Sequence, residues 1–469
     1  MAAVIPEAGT AENIIEEMRR VAEPGQRRLD DGTMDRLREL SGQLSAIKAD
    51  TSAAEHWRFL QVKQRMLAVP EAIVERHLKD ATVLVTGGTG CIGSALMAEL
   101  RQRGPRRLVS VSRGITVGWP RVESADYLTA DICDERALTS IVRKVKPDVI
   151  FHVAAQRDPG VAEVEVRRTI ATNVFGTRNV LTAATAHDIG QVVYASTGKA
   201  LRPYSPEIYA ASKRAGEWLM AETAQKTAIR CSAARFTHVV DNSILYRRLL
   251  AWANPSEEDA HGGQTVRLHG PDIYFYVQSA PEAAQLLLCA YVGTTSGEFR
   301  LQAITDLGLP LTPLDLAIGV LVSTGSTTPI YFSGHDAGYE RVPFPCLYDP
   351  LTAGDVSPLL SAFEAASTTN SPSPMTDSFR LSFAPDRRLA EQLAALEGDC
   401  ASPLGEPRLK ERLNDLSWSL LDAGLRRAPR WALERCAGQA RRHWDTMTSS
   451  HRRMLQSIDD LLRSTTYRD

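Results

Sequence analysis

The spacing of apolar residues predicts helices in the N-terminal part of the chain. One face of a helix is indicated by Met34, Leu37, Leu40, Leu44 and Ile47, which recur at steps of three and four. Ser52 and Glu55 have the spacing of a capping box, which predicts that a further helix begins there. Residues 1–80 are therefore predicted to form a helical extension that serves packing or dimerisation, with regulation or substrate capture as the alternative.

After Thr82 the pattern changes to short β-branched runs that alternate with helical segments. These apolar runs cover residues 82–87, 107–112, 148–155, 191–197 and 229–236. Strands that are apolar throughout are typical of a parallel sheet buried on both faces. With the intervening helices they predict an α/β, Rossmann-type domain with a doubly wound parallel sheet over residues 81–240. The irregular pattern over residues 241–363 predicts a smaller lobe, and exchange of strands or helices between the two is left open.

The C-terminal part reads as a linker followed by helices. Residues 364–407 include the run AASTTNSPSPMTDS, whose Ser, Thr and Pro content predicts a linker or mobile loop. Residues 408–469 are predicted to be helical. An apolar stripe in the last helix is formed by Trp444, Met447, His451, Met454, Ile458 and Leu461. His451 is interpreted as a packed residue of this stripe.

Composition narrows the class of protein. The 469 residues carry a formal net charge of -2, which favours neither nucleic acid nor an anionic membrane as a partner. No apolar run reaches the roughly 20 residues that a membrane span needs, and the N-terminal run does not resemble a signal peptide. The seven cysteines form no CxxC pair and the ten histidines form no HExxH pattern. We therefore expect a cytoplasmic protein with free thiols and no metal site.

Three glycines lie between the first predicted strand and the next helix, in the run VLVTGGTGCIGSALMAEL. Gly87 permits a tight turn, Gly90 lets a pyrophosphate approach the backbone, and Gly93 lets the helix pack close to the strand. The first turn of the helix, at Cys91 and Ile92, supplies N–H donors for an anion. This run predicts a dinucleotide-binding site.

The end of the second strand distinguishes between two dinucleotides. Ser112 and Arg113 lie there, where a carboxylate would bind the ribose 2′-hydroxyl of NAD and an arginine can instead pair with a 2′-phosphate. NADP is therefore the predicted cofactor, with NAD as the alternative. Further contacts, to the adenine and along the inner face of the cleft, are predicted from Asp131, Ile132, Ala154 and Ala155.

A tyrosine and a lysine lie one helical turn apart in the run YAASKR. Tyr209 and Lys213 share one helix face. The phenol of a tyrosine, with a reference pKa of ~10, is too weakly acidic to act as a base at neutral pH, and a nearby ammonium lowers that value. Tyr209 is therefore predicted to take a hydroxyl proton while hydride leaves the same carbon. Thr197, at the end of the preceding strand, is predicted to hydrogen-bond that hydroxyl.

These motifs resemble the extended short-chain dehydrogenase/reductase family. Within it, STGKALRP and YAASKRAGEW are most similar to the polysaccharide-biosynthesis branch, which includes inverting nucleotide-sugar 4,6-dehydratases and related epimerases. The resemblance covers Thr82 to Asp349 and implies that the smaller lobe binds substrate. TNVFGTRNVL matches the family's asparagine-bearing helix, which implies that Asn173 lies near the active site. A homodimer through helices at 163–187 and 207–226 is also implied.

The same resemblance implies a second base and a missing acid. Lys199 matches the lysine of the family's STDK motif, which removes the proton next to the new ketone. The aspartate of that motif protonates the leaving hydroxyl, but this chain has Gly198 there. Asp158 or Glu163 is a candidate replacement acid.

The regions that handle substrate in the family also differ here. His238 replaces the asparagine of RFGNV, Tyr274 replaces an arginine that commonly meets the substrate diphosphate, and GHDAGYE replaces GxRPGEK. Candidate substrate-binding residues are Asp158, His238, Asn242 and Tyr274. The loss of two arginines leaves open whether the substrate carries a nucleoside diphosphate; Arg157, Arg267 and Arg300 are candidate substitutes.

Three functions are therefore weighed for the chain. The first is an NAD(P)-dependent enzyme that oxidises a hydroxyl of a sugar or sugar-like small molecule and then epimerises or dehydrates it, with the cofactor regenerated. The second is a net NADP-dependent dehydrogenase or ketoreductase of a biosynthetic intermediate. The third is a non-catalytic, cofactor-bound scaffold, which the joint presence of Thr197, Lys199, Tyr209 and Lys213 disfavours.

Overall fold

The computed structural model describes residues 10–26, 28–114, 118–201, 207–254, 265–335, 356–403, 405–442, 444–447 and 449–464. Its strands are β1 (Thr82–Thr86), β2 (Arg107–Ser112), β3 (Asp126–Thr129), β4 (Val149–His152), β5 (Gln191–Thr197), β6 (Arg230–Phe236), β7 (His238–Val239), β8 (Val266–Leu268), β9 (Val277–Gln278), β10 (Phe299–Ile304), β11 (Ile330–Phe332), β12 (Thr368–Thr369) and β13 (Thr376–Arg380).

The α-helices are α1 (Ala11–Val21), α2 (Asp31–Gln61), α3 (Glu71–Leu78), α4 (Cys91–Gln102), α5 (Glu135–Val145), α6 (Pro159–Val164), α7 (Val166–Ile170), α8 (Gly176–Ala186), α9 (Ile208–Lys226), α10 (Ile244–Ala253), α11 (Ala280–Val292), α12 (Pro313–Thr324), α13 (Ala362–Ala365), α14 (Arg387–Ala401), α15 (Glu406–Leu425), α16 (Arg430–Arg442) and α17 (Ser449–Arg463). A π-helical turn, Ala171–Phe175, joins α7 to α8.

In the described part of the chain, nine strands form one sheet in the order β12-β13-β10-β6-β5-β4-β1-β2-β3. Within this sheet, every neighbouring pair in the run β10-β6-β5-β4-β1-β2-β3 is parallel. β13 is antiparallel to both of its neighbours, β10 and β12. Chain order reverses between β1 and β4, and in doubly wound sheets ligands bind beyond the carboxyl ends of the strands at such a point. The predicted Rossmann-type α/β fold is confirmed.

The chain divides into two compact units, and both are assembled from separate stretches of sequence. The sheet unit comprises Met66–Thr237, Gln278–Leu307 and Phe344–Asp469, and the helical unit comprises Met1–Arg65, His238–Val277 and Gly308–Pro343. This arrangement differs from the predicted series of consecutive domains at 1–80, 81–240, 241–363, 364–407 and 408–469. The N-terminal helices do not form an independent extension, because their apolar faces share a core with the segments that follow residue 237.

Within the helical unit, α2 packs closely along α12. A Cβ at Gly319 would lie 2.5 Å from the Ser52 carbonyl oxygen, so the two helices approach at a position where only glycine fits. The Ser52 hydroxyl donates to Asp315 Oδ1 at 3.0 Å, and Lys48 Nζ lies 2.9 Å from the same oxygen. The predicted capping box at Ser52 is wrong, because α2 continues through this residue to Gln61.

The predicted linker at residues 364–407 is also wrong, since this segment forms the edge of the large sheet and a helix. β13 pairs with β10, and the Phe379 side chain is fully buried. The Thr376 hydroxyl of β13 donates to Gln302 Oε1 of the neighbouring strand β10 at 3.1 Å. Hydroxyl side chains in this segment thus form hydrogen bonds between strands at the edge of the sheet. The Ser and Thr content therefore reflects packing at a strand edge.

The C-terminal helices pack on the core instead of extending away from it. Helix α15 lies against α9 and α7, and its apolar face belongs to the same core as the sheet. The fully buried residues of that face are Leu409, Leu413, Leu416 and Leu420. A homodimer was predicted through helices at 163–187 and 207–226, and the chain's own helix α15 packs on α7 and α9 of these segments. In the terminal stripe His451, Met454 and Ile458 are buried on α17, whereas Trp444 lies before that helix and is half exposed.

None of the described helices is long and apolar enough to cross a bilayer. Among the same residues, no group of His, Cys, Asp and Glu side chains has the arrangement of a metal site.

Candidate active site

The turn between β1 and α4 has backbone crowding that only glycine tolerates. Gly87 has φ +76°, and a Cβ there would lie 2.8 Å from the backbone nitrogen of Ala154. A Cβ at Gly93 would lie 2.0 Å from the Gly87 carbonyl oxygen. Gly90 precedes the first helical residue, Cys91, and makes no side-chain cap. A helix that begins directly after a glycine turn, as α4 does at Cys91 and Ile92, offers backbone N–H groups of the kind that bind a pyrophosphate.

The end of β2 carries hydroxyls and a cation but no carboxylate. The hydroxyl of Ser112 donates to the Gly114 carbonyl at 2.9 Å, and the hydroxyl of Thr89 donates to the same oxygen at 3.1 Å. These two bonds tie the end of β2 to the glycine turn. The Arg113 side chain is exposed beside them.

The residues predicted to flank an adenine lie after β3. Asp131 is partly buried and its carboxylate accepts a hydrogen bond from the backbone N–H of Cys133 at 2.9 Å. Ile132 is buried, and its carbonyl accepts from Asn179 Nδ2 at 3.0 Å. A Cβ at Gly176 would lie 2.7 Å from Ile132 Cδ1, so this isoleucine packs directly on α8.

Asn173 ties the end of β4 to the helix that carries the tyrosine. It lies in the π-helical turn, a feature that often marks functional sites. Its Oδ1 accepts from the Gln156 N–H at 2.8 Å, and its Nδ2 donates to the Ser212 hydroxyl at 3.0 Å. Ala154 and Ala155 lie in the same stretch after β4 and are partly buried. The glycine-lined turn and these small residues fit a dinucleotide.

Tyr209 and Lys213 lie on the first turns of α9, and Thr197 lies at the end of β5. The Thr197 hydroxyl donates to the Phe236 carbonyl at 3.5 Å, and its interaction with the phenol acts to lower the pKa of Tyr209. Burial has the larger effect and raises the pKa of Tyr209 to about 12. The charge of Arg157, an exposed residue, acts to lower it.

The lysine has a different environment from the one that the sequence predicts. Lys213 Nζ donates to the Ala195 carbonyl at 2.6 Å and lies 4.1 Å from the centroid of the Tyr194 ring. Burial lowers the pKa of Lys213 to about 7, against the opposing charge of Glu217. The expected lowering of the tyrosine pKa by Lys213 is therefore not found: burial dominates for both groups and disfavours their charged forms.

Lys199 has a buried partner that the sequence analysis missed. Its ammonium lies 2.7 Å from Oε1 of Glu207, a residue that directly precedes α9 and whose side chain is only 2% exposed. The backbone N–H of Lys199 donates to the Thr197 hydroxyl at 3.3 Å. The distance of eight residues between the lysine and the glutamate gave no local pattern from which this pair could be predicted.

The position of the missing acid is filled by an apolar side chain. A Cβ at Gly198 would lie 2.7 Å from Leu359 Cδ2. Of the two candidate replacement acids, Asp158 caps α6 by accepting from the Val161 N–H at 3.1 Å. Glu163 accepts from the Ile208 N–H at 2.7 Å and pairs with Lys410 at 2.8 Å, so its carboxylate holds the start of α9.

A buried network of charges lies directly behind the tyrosine, lysine and threonine. It contains the side chains of Arg214, Glu217, Arg235 and Glu364, each of which is nearly or fully buried. Arg235 binds Glu217 through two hydrogen bonds of 2.8 Å and Glu364 through bonds of 2.8 and 2.9 Å. Ser196, the neighbour of Thr197, donates to Glu217 at 2.6 Å. Although burial opposes ionisation, the charge of Arg235 holds the pKa of Glu364 at about 2.

The remaining substrate candidates lie in the helical unit. His238 Nε2 is 2.8 Å from the hydroxyl of Ser243, the N-cap of α10, and its ring meets the Phe275 ring edge-on. Asn242 Oδ1 accepts from Arg247 at 3.2 Å, and the Tyr274 side chain is exposed. The GHDAGYE run continues outside the described residues.

The candidate substitutes for the two missing arginines have different surroundings. Arg300 is bound to Glu298 at 3.1 Å, and Arg267 lies over the Tyr331 ring. Arg157, the third candidate, is the one whose charge acts on Tyr209.

Comparison with known proteins gives a family for most of the described core. The family model described as "Polysaccharide biosynthesis protein" matches residues 83–339. The capsular polysaccharide biosynthesis protein CapD of Staphylococcus aureus is 26% identical over 288 residues, which are 58% of this chain and 46% of that protein. An inverting UDP-N-acetylglucosamine 4,6-dehydratase of Campylobacter jejuni is 28% identical over 143 residues, 29% of this chain and 42% of that enzyme. The chain thus spans less than half the length of these relatives.

Among solved structures, the X-ray structure of Pen from Bacillus thuringiensis has the same fold. The TM-score is 0.53 at 21% identity, and the match covers 65% of this chain and 88% of that one.

Proposed function

Because this chain belongs to the polysaccharide biosynthesis protein family, a branch of the extended short-chain dehydrogenases/reductases, we propose that it is an NAD(P)-dependent enzyme acting on a sugar or sugar-like substrate. It oxidises a hydroxyl to a ketone and then uses that ketone for epimerisation or dehydration. The observation that carries the proposal is the placement of Tyr209 and Lys213 on the first turns of α9, with Lys213 bonded to Ala195 of β5 and Thr197 at the carboxyl end of the same strand.

Each residue of this group has a role in the oxidation. A nicotinamide dinucleotide held by Gly87, Gly90 and Gly93 would take up a hydride and return it later in the cycle. Tyr209 takes the proton of the substrate hydroxyl, and Thr197 holds that hydroxyl in place. Burial raises the pKa of Tyr209 to about 12, and the positive charge of a bound oxidised nicotinamide would lower it again. Lys213 and Asn173 orient the nicotinamide ribose and the backbone around it. Arg113 pairs with a 2′-phosphate, so that NADP is preferred over NAD.

The ketone makes the neighbouring carbon acidic, and Lys199 is the proposed group that removes its proton. The name of the Campylobacter jejuni relative supports a nucleotide sugar as the substrate class. Arg157 is the proposed phosphate-binding cation, because it is exposed and its charge acts on Tyr209. Elimination by the family's usual acid is disfavoured, since Leu359 occupies the space beside Gly198.

Two measurements test the proposal. Native mass spectrometry of the purified protein identifies the bound dinucleotide. Incubation with UDP-glucose and UDP-N-acetylglucosamine in deuterated water is then followed by absorbance of the reduced nicotinamide and by deuterium in the sugar. We expect deuterium uptake without net cofactor reduction, and Tyr209→Phe to slow it by roughly 10²- to 10⁴-fold. The matched control is Tyr291→Phe, which removes a different tyrosine hydroxyl. In the wild type that hydroxyl donates to the His77 carbonyl.

A net dehydrogenase is the second candidate, favoured by the absence of an acid at residue 198. It predicts one equivalent of reduced cofactor for each substrate oxidised and no deuterium in the sugar. A protein in which Tyr209→Phe changes neither readout is not an enzyme of either kind.

A further inference from the structure

We propose that Lys410 and Glu163 are positioning residues for Tyr209, so that the C-terminal helix α15 sets the geometry of the proposed proton transfer. This inference rests on the proposed function, because it concerns the same tyrosine. It goes beyond that function because both residues lie outside the motifs of the site. Helix α15 also lies outside residues 83–339, which match the family model.

Two hydrogen bonds in series lead from α15 to the first residue of α9. Lys410 Nζ, on the second turn of α15, donates to Oε2 of Glu163 at 2.8 Å. The other carboxylate oxygen of Glu163, Oε1, accepts from the backbone N–H of Ile208 at 2.7 Å. Ile208 is the first residue of α9 and directly precedes Tyr209. The contacts therefore reach the residue next to the proposed base.

The bond to Ile208 caps α9 with a side chain from another helix. The first N–H groups of an α-helix have no partner within that helix. They form the positive end of the helix dipole, so a carboxylate placed there is stabilising. Glu207, which directly precedes α9, binds Lys199 with its carboxylate, and Glu163 of α6 supplies the carboxylate at Ile208. The start of α9 is thus held by α6.

The carboxylate of Glu163 is held in place by burial and by its two partners. Its side chain is 8% exposed, whereas that of Lys410 is 35% exposed. Hydrogen bonds to an ionised group are shorter and stronger than those between neutral groups, so the two bonds fix both oxygens. Removal of Lys410 takes one partner from a buried charge, which favours a movement of Glu163 toward water.

Helix α15 is itself fixed on the core, so it can act as a reference for this position. It packs on α7 and α9, and its apolar face belongs to the core of the sheet. The backbone N–H of Arg167 on α7 donates to Glu406 Oε2, at the start of α15, at 2.9 Å. Arg167 Nη1 also donates to the Asp399 carbonyl of α14 at 3.3 Å. The segment that carries Glu163 is therefore joined to the C-terminal helices at more than one point.

A small displacement of Tyr209 has a large effect on the proposed reaction. Proton transfer requires the phenol oxygen to lie within hydrogen-bonding reach of the substrate hydroxyl. A misplacement of roughly 1 Å at a reacting group can cost about 100-fold in rate. Because Ile208 and Tyr209 are adjacent in the first turn of α9, a shift of the Ile208 backbone also moves the tyrosine.

The test compares Lys410→Met, Lys410→Arg and Glu163→Leu with wild type in the deuterium-uptake assay, with UDP-glucose and UDP-N-acetylglucosamine as probes. We expect Lys410→Met to lower kcat by about tenfold and Glu163→Leu by about 100-fold. The KM of the probe should be unchanged, because the substitutions move a reacting group and remove no contact with substrate. Lys410→Arg should restore most of the rate, since it keeps the cation beside Glu163. Lys410 is partly exposed, so its variants remain informative if Glu163→Leu does not fold.

A general loss of stability is distinguished by a double variant and a matched ion pair. In a chain that already carries Tyr209→Phe, Lys410→Met should cause no further loss of the residual rate, because both substitutions act on one group. Arg412→Met breaks a different ion pair of α15, the 2.7 Å bond to Asp399 of α14, and should leave kcat unchanged. The proposal is overturned if Lys410→Met leaves kcat unchanged, or if Arg412→Met lowers it equally. It is also overturned if the losses from Lys410→Met and Tyr209→Phe multiply.

Failure of the proposed function gives a different result. If wild type takes up no deuterium with either probe, exchange of the backbone amides at the start of α9, followed by mass spectrometry, decides the question. We expect Lys410→Met to speed exchange at Ile208 by about tenfold, because the N–H loses much of its hydrogen bond to a charged group. Arg412→Met should not change it. Equal exchange in wild type and Lys410→Met overturns the proposal.

Discussion

The side chain of Leu359 lies against Gly198, and a Cβ on the glycine would come within 2.7 Å of the leucine Cδ2. Leu359 is buried, and its carbonyl accepts a hydrogen bond from Arg235 at 3.1 Å, which fixes the backbone that carries it. The loss of the family's acid at this position is thus accompanied by an apolar residue that fills its space.

We expect Gly198→Asp to destabilise the protein by about 1–3 kcal/mol, the usual cost of overpacking a buried site. Leu359→Ala in the same chain should recover part of that loss, because it vacates the space that the new carboxylate needs. Urea unfolding of wild type, both single variants and the double variant forms a cycle that measures the coupling. Additive effects of the two substitutions would contradict the contact.

The double variant also tests the reaction that the chain performs. If an acid at residue 198 is what elimination lacks, Gly198→Asp with Leu359→Ala should shift the products from an epimer toward a dehydrated sugar. Product analysis by mass spectrometry detects this as the loss of water. An unchanged product ratio in a folded double variant would mean that the acid comes from elsewhere.

Lys213 gives a pH dependence of stability whose sign is fixed by its lowered pKa. Its pKa is about 7 in the folded protein, whereas the ordinary pKa of a lysine, as in the unfolded chain, is 10.5. Between these pH values the unfolded chain holds a proton that the folded chain lacks, so the free energy of unfolding rises with pH, by up to about 1.4 kcal/mol per unit. Lys213→Met should lack this rise. Urea unfolding at pH 7, 8 and 9 measures the free energy of unfolding of wild type and of this variant. The control is Lys226→Met, which replaces an exposed lysine and should keep the rise. Parallel curves would refute the lowered pKa.

Arg113 is expected to determine the preference between the two dinucleotides. Arg113→Ala should weaken NADPH binding by about tenfold or more and leave NADH unaffected, because a hydrogen bond to a charged group contributes about 1.5–3 kcal/mol. Fluorescence titration with both cofactors measures this. Arg101→Ala, on an exposed position in the last turn of α4, is the control. Equal changes for NADPH and NADH would remove Arg113 from the phosphate site.

The buried charges should be more important for stability than any surface pair. Arg235→Met leaves Glu217 and Glu364 without their main partner, and breaking a buried pair costs about 3–5 kcal/mol. Arg387→Met removes an exposed pair with Glu391 at 2.9 Å and should cost about 0–1 kcal/mol. Guanidinium unfolding compares the two. Similar losses would show that the buried network is not a determinant of stability.

The oligomeric state follows from the helix that covers α9. Because α15 packs on α7 and α9, which lie in the two helical segments through which a homodimer was predicted, we expect light scattering to give the mass of one chain, 51.4 kDa. Leu413→Asp should loosen α15 from this core and expose α9. A wild-type mass of two chains would require an interface elsewhere.

The sequence predicted the sheet well because its signals are local. β2 and β5 begin and end at the predicted residues, since strands buried on both faces have uninterrupted apolar runs. The glycine turn was predictable for the same reason: strand, turn and helix are adjacent in sequence. The Tyr209 and Lys213 spacing gave their common helix face, but their protonation depends on burial, which spacing alone does not describe.

Features formed by distant segments were missed. Glu207 pairs with Lys199 across a loop, and Leu359 reaches Gly198 from more than a hundred residues away along the chain. The Ser and Thr residues near Thr376 were interpreted as a linker because hydroxyl side chains serve both solvated loops and strand edges. Ser52 has the spacing of a capping box, but its hydroxyl donates to Asp315 on another helix.

The helical unit has a consequence for synthesis on the ribosome. Its core joins α1 and α2 to β8, α12 and β11, so the core cannot form until residue 332 has been translated. Domains usually fold as they emerge, at about 5–20 residues per second, but the part of α2 that packs on α12 lacks that partner for roughly ten seconds or more. A nascent chain of this protein should therefore bind cotranslational chaperones through its N-terminal helices.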